Sequence, residues 1–151
     1  MKTHESECRP SEDTGHLSRL PDLAANVLQF DLFKEIEELR KQESWQRETG
    51  RSSKTLVKQQ DFRIVLVLMK ADTRMREHQA DARISIQVLS GRIRIHLEGQ
   101  SIGLTAGGLL ALDCGLRHDV ESLQESAFLL TISWPKEYAT WPIEDAAQNA
   151  K

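Results

Sequence analysis

The sequence predicts an all-β fold, an antiparallel β-barrel preceded by one N-terminal helix. Three observations predict it. Apolar residues alternate strictly in RISIQV (Ile84, Ile86, Val88) and again in RIRIHL (Ile93, Ile95, Leu97), the period of strands with one buried face. Ser90 and Gly91 between these runs, and Glu98 to Gln100 after them, are the small and turn-prone residues of tight antiparallel connections, so the two runs are expected to pair as a hairpin. Turn signals then recur at Gly107, Gly108 and Gly115, a spacing of about ten residues that marks a sandwich or barrel.

Taken in order, residues 1–23 are rich in Ser, Glu, Asp, Thr and His and show neither helical nor strand period. Such a segment buries too little surface to offset its ordering entropy, so a mobile tail is expected there. His4, Cys8 and His16 lie in it without a recurring ligand spacing, which favours an exposed tail over a metal site.

Residues 24–61 carry the helix and a lead-in strand. Asp31 can cap the helix, Leu32, Phe33, Ile36 and Leu39 fall on one face, and Glu35 near the start with Arg40 and Lys41 near the end suits the helix dipole. The helix is expected to end near Gln42 or Glu43 and to pack on the barrel or across a dimer; presentation to another protein is the alternative. Trp45 should pin the segment that follows. In WQRETGRSSKTLVK, Arg47, Arg51 and Lys54 flank a Gly-Arg-Ser-Ser stretch that could cradle an anion through backbone N–H groups. It lacks phosphate-loop spacing, so a solvated loop leading into a short strand at Thr55 to Lys58 is the expectation.

Residues 62–134 form the barrel. Phe62 to Met69 is apolar on both faces, which suits a strand covered by the barrel interior on one side and by the helix or a second subunit on the other; a homodimer is expected. Ala71 to Met75 then leads into a loop, Met75 to Arg83, and the two alternating strands follow. Further strands are expected at Ser101 to Leu104, Leu109 to Asp113, His118 to Ser122 and Ala127 to Trp134. Pro135 ends the last by denying a ladder donor, and residues 135–151 read as a loose C-terminal tail anchored at most by Trp141 and Pro142.

Length and composition bound the function. A chain of 151 residues with 39% hydrophobic content suits one domain. Its net charge of −3, from 20 basic and 23 acidic residues intermixed, leaves no footprint for nucleic acid or an anionic membrane. The longest apolar run, Ile64 to Met69, is far short of a membrane span, and no secretory apolar core opens the chain, so a soluble cytoplasmic protein is expected. Its two cysteines, Cys8 and Cys114, make no disulfide or zinc framework.

From Phe62 to Trp134 the sequence resembles the small single-domain cupins, whose strands form a jelly-roll barrel and whose two motifs supply ligands for a metal. Gly91 matches the closing glycine of the first motif, and Gly115 with His118 matches the Gly and His of the second. Counting back from Gly91 puts Ile84 where the family has its ligand Glu, Ala80 or Gln79 near its second His, and His78 or Glu77 near its first. Most of the metal shell is therefore absent. Asp113 stands where the family has Pro, a turn-shaping position that ligates nothing.

The resemblance makes His118 the first candidate for function, as an inward-facing ligand sharing its strand face with Val120; the bland alternative is a core-edge His bonded to backbone. His78 is the second, and either it or an exposed loop histidine fits the sequence. His96, on the opposite strand face with Arg92 and Arg94, is expected to be solvated or interfacial. Catalytic zinc uses three protein ligands and non-haem iron two His and a carboxylate, so His78 and His118 would need Glu77 or Asp81 as a third. A divalent ion there (Fe, Zn, Mn or Ni) would support an oxygenase or isomerase. Without it, Ile84, Ile86, Val88 and Val120 would line an apolar pocket for a small organic ligand, and a binding or sensing barrel is the favoured function. A Cys114 thiolate helped by His118 is conceivable, but no third orienting residue is visible, and a packed, inert Cys is expected.

Overall fold

The computed structural model of the chain describes residues 22–46, 49–78 and 81–135, without the side chains of Glu77 and His78. The expectations for the two tails, with His4, Cys8, His16, Trp141 and Pro142, and those for Arg47, Gln79 and Ala80, fall outside the described residues.

Among the described residues two short helices precede nine strands: α1 (Leu32–Arg40), α2 (Glu43–Gln46), β1 (Arg51–Lys58), β2 (Phe62–Met69), β3 (Thr73–His78), β4 (Arg83–Ser90), β5 (Arg92–Leu97), β6 (Gln100–Thr105), β7 (Leu109–Leu112), β8 (His118–Ser122) and β9 (Ser126–Ser133). The strands form two antiparallel sheets, ordered β1-β2-β9-β4-β7 and β3-β8-β5-β6. Facing each other, they make an all-β antiparallel jelly-roll barrel.

Strand alternation decides what lies between the sheets. Val67 pairs with Phe128 and Ile86 with Leu130, so these side chains share the inner face of the first sheet. They meet Ile93, Ile95 and Val120 from the second sheet in one buried cluster. The residues between them point the other way. Leu66, Leu68 and Ala127 form a second cluster outside the barrel, and Ile36 and Leu39 of α1 with Trp45 of α2 cover it. The two apolar faces of β2 are thus explained within one chain: the helix is the cover through Ile36, Leu39 and the partly buried Leu32, whereas Phe33, expected on the same face, is 73% exposed. Asp31 caps α1 by accepting the Lys34 N–H at 3.3 Å, and Arg40 reaches Glu125 at 3.1 Å, tying the helix end to the β8–β9 turn.

The structure departs from the sequence reading in several further places. Arg51 to Lys54 is strand, not a solvated loop: its residues pair with Leu66 to Met69, and an edge strand need not alternate in hydrophobicity. Thr73–His78 is likewise a strand, on the edge of the second sheet, with Met75 as its one apolar side chain packed on the core. The helical segment stops at Arg40 and restarts as α2 after Lys41 caps the first helix, so there are two helices where one is predicted.

One tight turn carries the chain from one sheet to the other: β4 and β5, expected to pair as a hairpin, lie in different sheets and do not pair with each other. Gly91 has φ of 83°, and a Cβ there would sit 2.2 Å from the Glu125 carbonyl oxygen, so no other residue fits. The close approach lets the Ser126 hydroxyl accept the Arg92 N–H at 2.9 Å and donate to the Gln124 carbonyl at 2.8 Å.

Candidate functional site

Between the sheets, at the end where β1 and β3 lie, the barrel encloses a cavity of about 410 Å³. Val65, Val67, Met75, Ile84, Ile86, Val120, Phe128, Leu130 and Ile132 give it a hydrocarbon wall, interrupted by Arg51, Ser53 and His118. The strands explain this composition. Residues 65 and 67, 84 and 86, and 128 and 130 are inward positions of central strands; Arg51 and Ser53 pair with Met69 and Val67 and so lie on the cavity side of the edge strand, where both are exposed at the mouth.

His118 opens β8 and is 4% exposed. Its Nδ1–H donates to the Leu116 carbonyl at 3.1 Å, a bond that fixes the ring across the β7–β8 turn. Across the ladder, His78 is its register partner on β3. The sequence placed His78 in a loop; its backbone is strand, and the direction of its side chain and that of Glu77 fall outside the described residues. Asp81 is exposed in the connection to β4. Ile84, Ile86 and Val120 line the cavity, whereas Val88, buried in the same cluster, lies beyond its walls.

Among the described residues no three His, Cys, Asp or Glu side chains come together to hold an ion, and His118 is the one such side chain on the described cavity wall. Ile84, where the family motif has its Glu, contributes hydrocarbon instead.

Around the rim, Asp113 accepts the Cys114 N–H at 2.8 Å and Arg83 Nε–H at 3.2 Å, and the backbone bond first and the arginine second hold its carboxyl below the usual range. Cys114 is exposed, not packed as the sequence suggested; it lies in the turn between β7 and β8, outside the buried clusters. A separate recess of about 320 Å³, with Arg83, Ser85 and Asp113 on its wall, lies at the corner of β4 and β7 and does not include His118.

On the outer face of the second sheet, the His96 side chain is a quarter exposed and bonded at both ring nitrogens: Nε2–H donates to Glu121 Oε2 at 2.6 Å, and Nδ1 shares a hydrogen bond of 2.8 Å with the Ser101 hydroxyl. The hydrogen bond from His96 chiefly lowers the Glu121 pKa, partial burial opposes it, and the charges of His96, Arg94 and Arg74 add to the lowering.

Comparison with solved structures places this architecture. A cupin superfamily protein from Desulfitobacterium hafniense superposes with TM-score 0.57 at 18% identity over 59% of this chain and 82% of that one. The chain has the cupin fold. A cupin-2 domain protein from Shewanella frigidimarina aligns with TM-score 0.56 at 18% identity, covering 69% of this chain and 93% of the other. A conserved protein of unknown function from Streptococcus pyogenes aligns with TM-score 0.56 at 16% identity, over 86% and 99% of the two chains. No protein-family model and no curated protein matches the sequence. The likeness therefore concerns the cupin fold, and function has to be argued from the cavity.

Arg51, Ser53 and Met75 are cavity residues that the sequence did not reveal. Each sits on an edge strand whose charged and polar residues conceal the period-two pattern. The available signal was the position of Arg51 and Ser53, two apart and just ahead of the apolar strand with which they pair.

Proposed function

We propose that this cupin barrel binds a small organic molecule between its sheets and serves as a binding or sensing protein. The cavity carries the reading: about 410 Å³ of space with an apolar wall and three polar side chains suits a ligand held by burial and oriented by a few directed contacts. Ile84 supports it further, because a branched hydrocarbon at the position of the family Glu favours an apolar occupant over an ion. The same reading takes the protein as a cytoplasmic homodimer, with the oligomer measurable by sedimentation.

A second reading draws on one observation, the pairing of His78 with His118 across β3 and β8. It makes the protein a metal-dependent oxygenase or isomerase in which these histidines and Glu77 or Asp81 hold a divalent Fe, Zn, Mn or Ni ion. Elemental analysis of protein from metal-supplemented cells separates the two. Binding without metal predicts no stoichiometric ion in the parent or in His118→Ala. A ratio near one metal per chain, abolished by His118→Ala, would replace the first reading with the second.

A further inference from the structure

We infer that the cavity is built for an organic anion, a carboxylate or similar head on an apolar body, with Arg51 as the group that recognises the head. This rests on the binding reading above and names the chemical class of its ligand.

The argument starts from which way β1 turns its side chains. Antiparallel partners share a face, and Arg51 pairs with Met69, a core residue of the barrel interior. Lys54 pairs with Leu66, on the other face, and there it meets Glu35 of α1. One strand therefore sends one cation to the helix, where an acid neutralises it, and another to the cavity.

Among the described residues no acid answers at the cavity. The described walls contain no Asp or Glu, and among the described residues Arg51 forms neither an ion pair nor a side-chain hydrogen bond. Arg40, Arg74, Arg83 and Arg94 each reach a carboxylate. A guanidinium does not shed its charge at any physiological pH, so the cavity end keeps a fixed positive charge. Arg51 and Ser53 are themselves exposed, so this charge stands at the cavity mouth, open to solvent on one side and to the hydrocarbon wall on the other.

The shape of the donor narrows the ligand further. A guanidinium offers parallel N–H groups that match the two oxygens of a carboxylate, and Ser53, two residues along on the same face, adds a hydroxyl beside it. Ile86, Val120 and Phe128 on the inner walls suit a body without charge. A neutral ligand would leave the arginine unanswered, and a strongly polar one would waste the hydrocarbon.

The test uses matched probes that differ only in the head: hexanoate against hexan-1-ol, and 3-phenylpropanoate against 3-phenylpropan-1-ol. Binding to the full-length isotope-labelled protein is followed through the methyl signals of Ile86 and Val120. The parent should bind each acid about tenfold or more tighter than its alcohol, since hydrogen bonds to charged groups are the strong ones. Arg51→Ala should remove that preference and leave alcohol binding unchanged. Arg94→Ala, on the outer face of the other sheet, should behave as the parent. Arg51→Gln serves in its place should the alanine variant disturb the spectrum throughout. Equal binding of acid and alcohol at the cavity, unaltered by either Arg51 substitution, would overturn the anion inference while leaving the binding barrel intact. Cavity signals that no probe moves would count against the binding reading itself, and the inference would fall with it.

Discussion

His96 Nε2 lies 2.6 Å from Glu121 Oε2, across adjacent strands of the sheet that α1 does not cover. On this face Arg94 and His96 of β5 both reach Glu121 of β8, at 3.9 and 2.6 Å, so polar contacts join the two strands sideways. Because the Glu121 pKa is lowered on folding, the carboxylate contributes stability above its unfolded pKa. That contribution is lost as pH falls through the lower, folded value. Glu121→Gln is therefore expected to be less stable than the parent at neutral pH. The difference should close as the solution is acidified through and below the ordinary carboxylate range. Urea titrations of both proteins across that range check it; a gap that persists unchanged in acid would show that packing, not charge, is at stake.

Gly91 makes the sharpest conformational demand in the barrel. Alanine there would combine a positive φ with a Cβ 2.2 Å from the Glu125 carbonyl oxygen, whereas at Gly99 the same φ region meets nothing within 4 Å. Gly99→Ala should cost about 1–2 kcal/mol, the usual penalty of a left-handed alanine. Gly91→Ala should cost clearly more, because backbone must move and the Ser126 bonds to Arg92 and Gln124 are disturbed. Comparing the two denaturation midpoints isolates the steric part, since the conformational part is common to both.

The central strands were readable because each has one wet and one dry face, and alternation records that difference residue by residue. Ile84, Ile86 and Val88, and Ile93 and Ile95, are inward in the barrel as their spacing implies. The edge strands were not readable, for the complementary reason. In Arg51 to Lys54 and in Thr73 to His78 the polar residues dominate both faces, and only pairing with β2 and β8 reveals them as strands. The candidate site inherits this division. His118, in a strand with a clear inward neighbour, was legible; Arg51 was not, because its inward direction comes from the register with Met69 and from nothing local.

Leu39 is fully buried between α1 and the outer face of the first sheet. Leu39→Ala should cost about 2–5 kcal/mol, the range for a large-to-small change at a buried site. It should also loosen the cover over Leu66 and Leu68, so the variant is expected to self-associate at concentrations where the parent does not. Chemical denaturation gives the first quantity and sedimentation the second. A stability loss without self-association would mean that the remaining contacts of Ile36 and Trp45 hold the helix in place.

Ile84 offers the most direct probe of the cavity as an apolar space. It is 8% exposed, lines the cavity, and occupies the position where the family motif carries a carboxylate. Ile84→Glu places a carboxyl group against Val120, Phe128 and Ile132, where burial disfavours its charged form and raises its pKa above the unfolded value. The sign is opposite to that of Glu121. The variant should lose most stability above the folded pKa, where charge must be buried or the group must take up a proton to fold, and should recover part of it as pH falls below that value. Ile84→Gln keeps the size and hydrogen-bonding capacity but cannot ionise, so its loss should be nearly independent of pH. Denaturation of the two variants at neutral and mildly acidic pH gives the comparison. Parallel behaviour of the two would indicate that Arg51 or water answers the carboxylate inside the barrel, and the cavity would then be more polar than its wall implies.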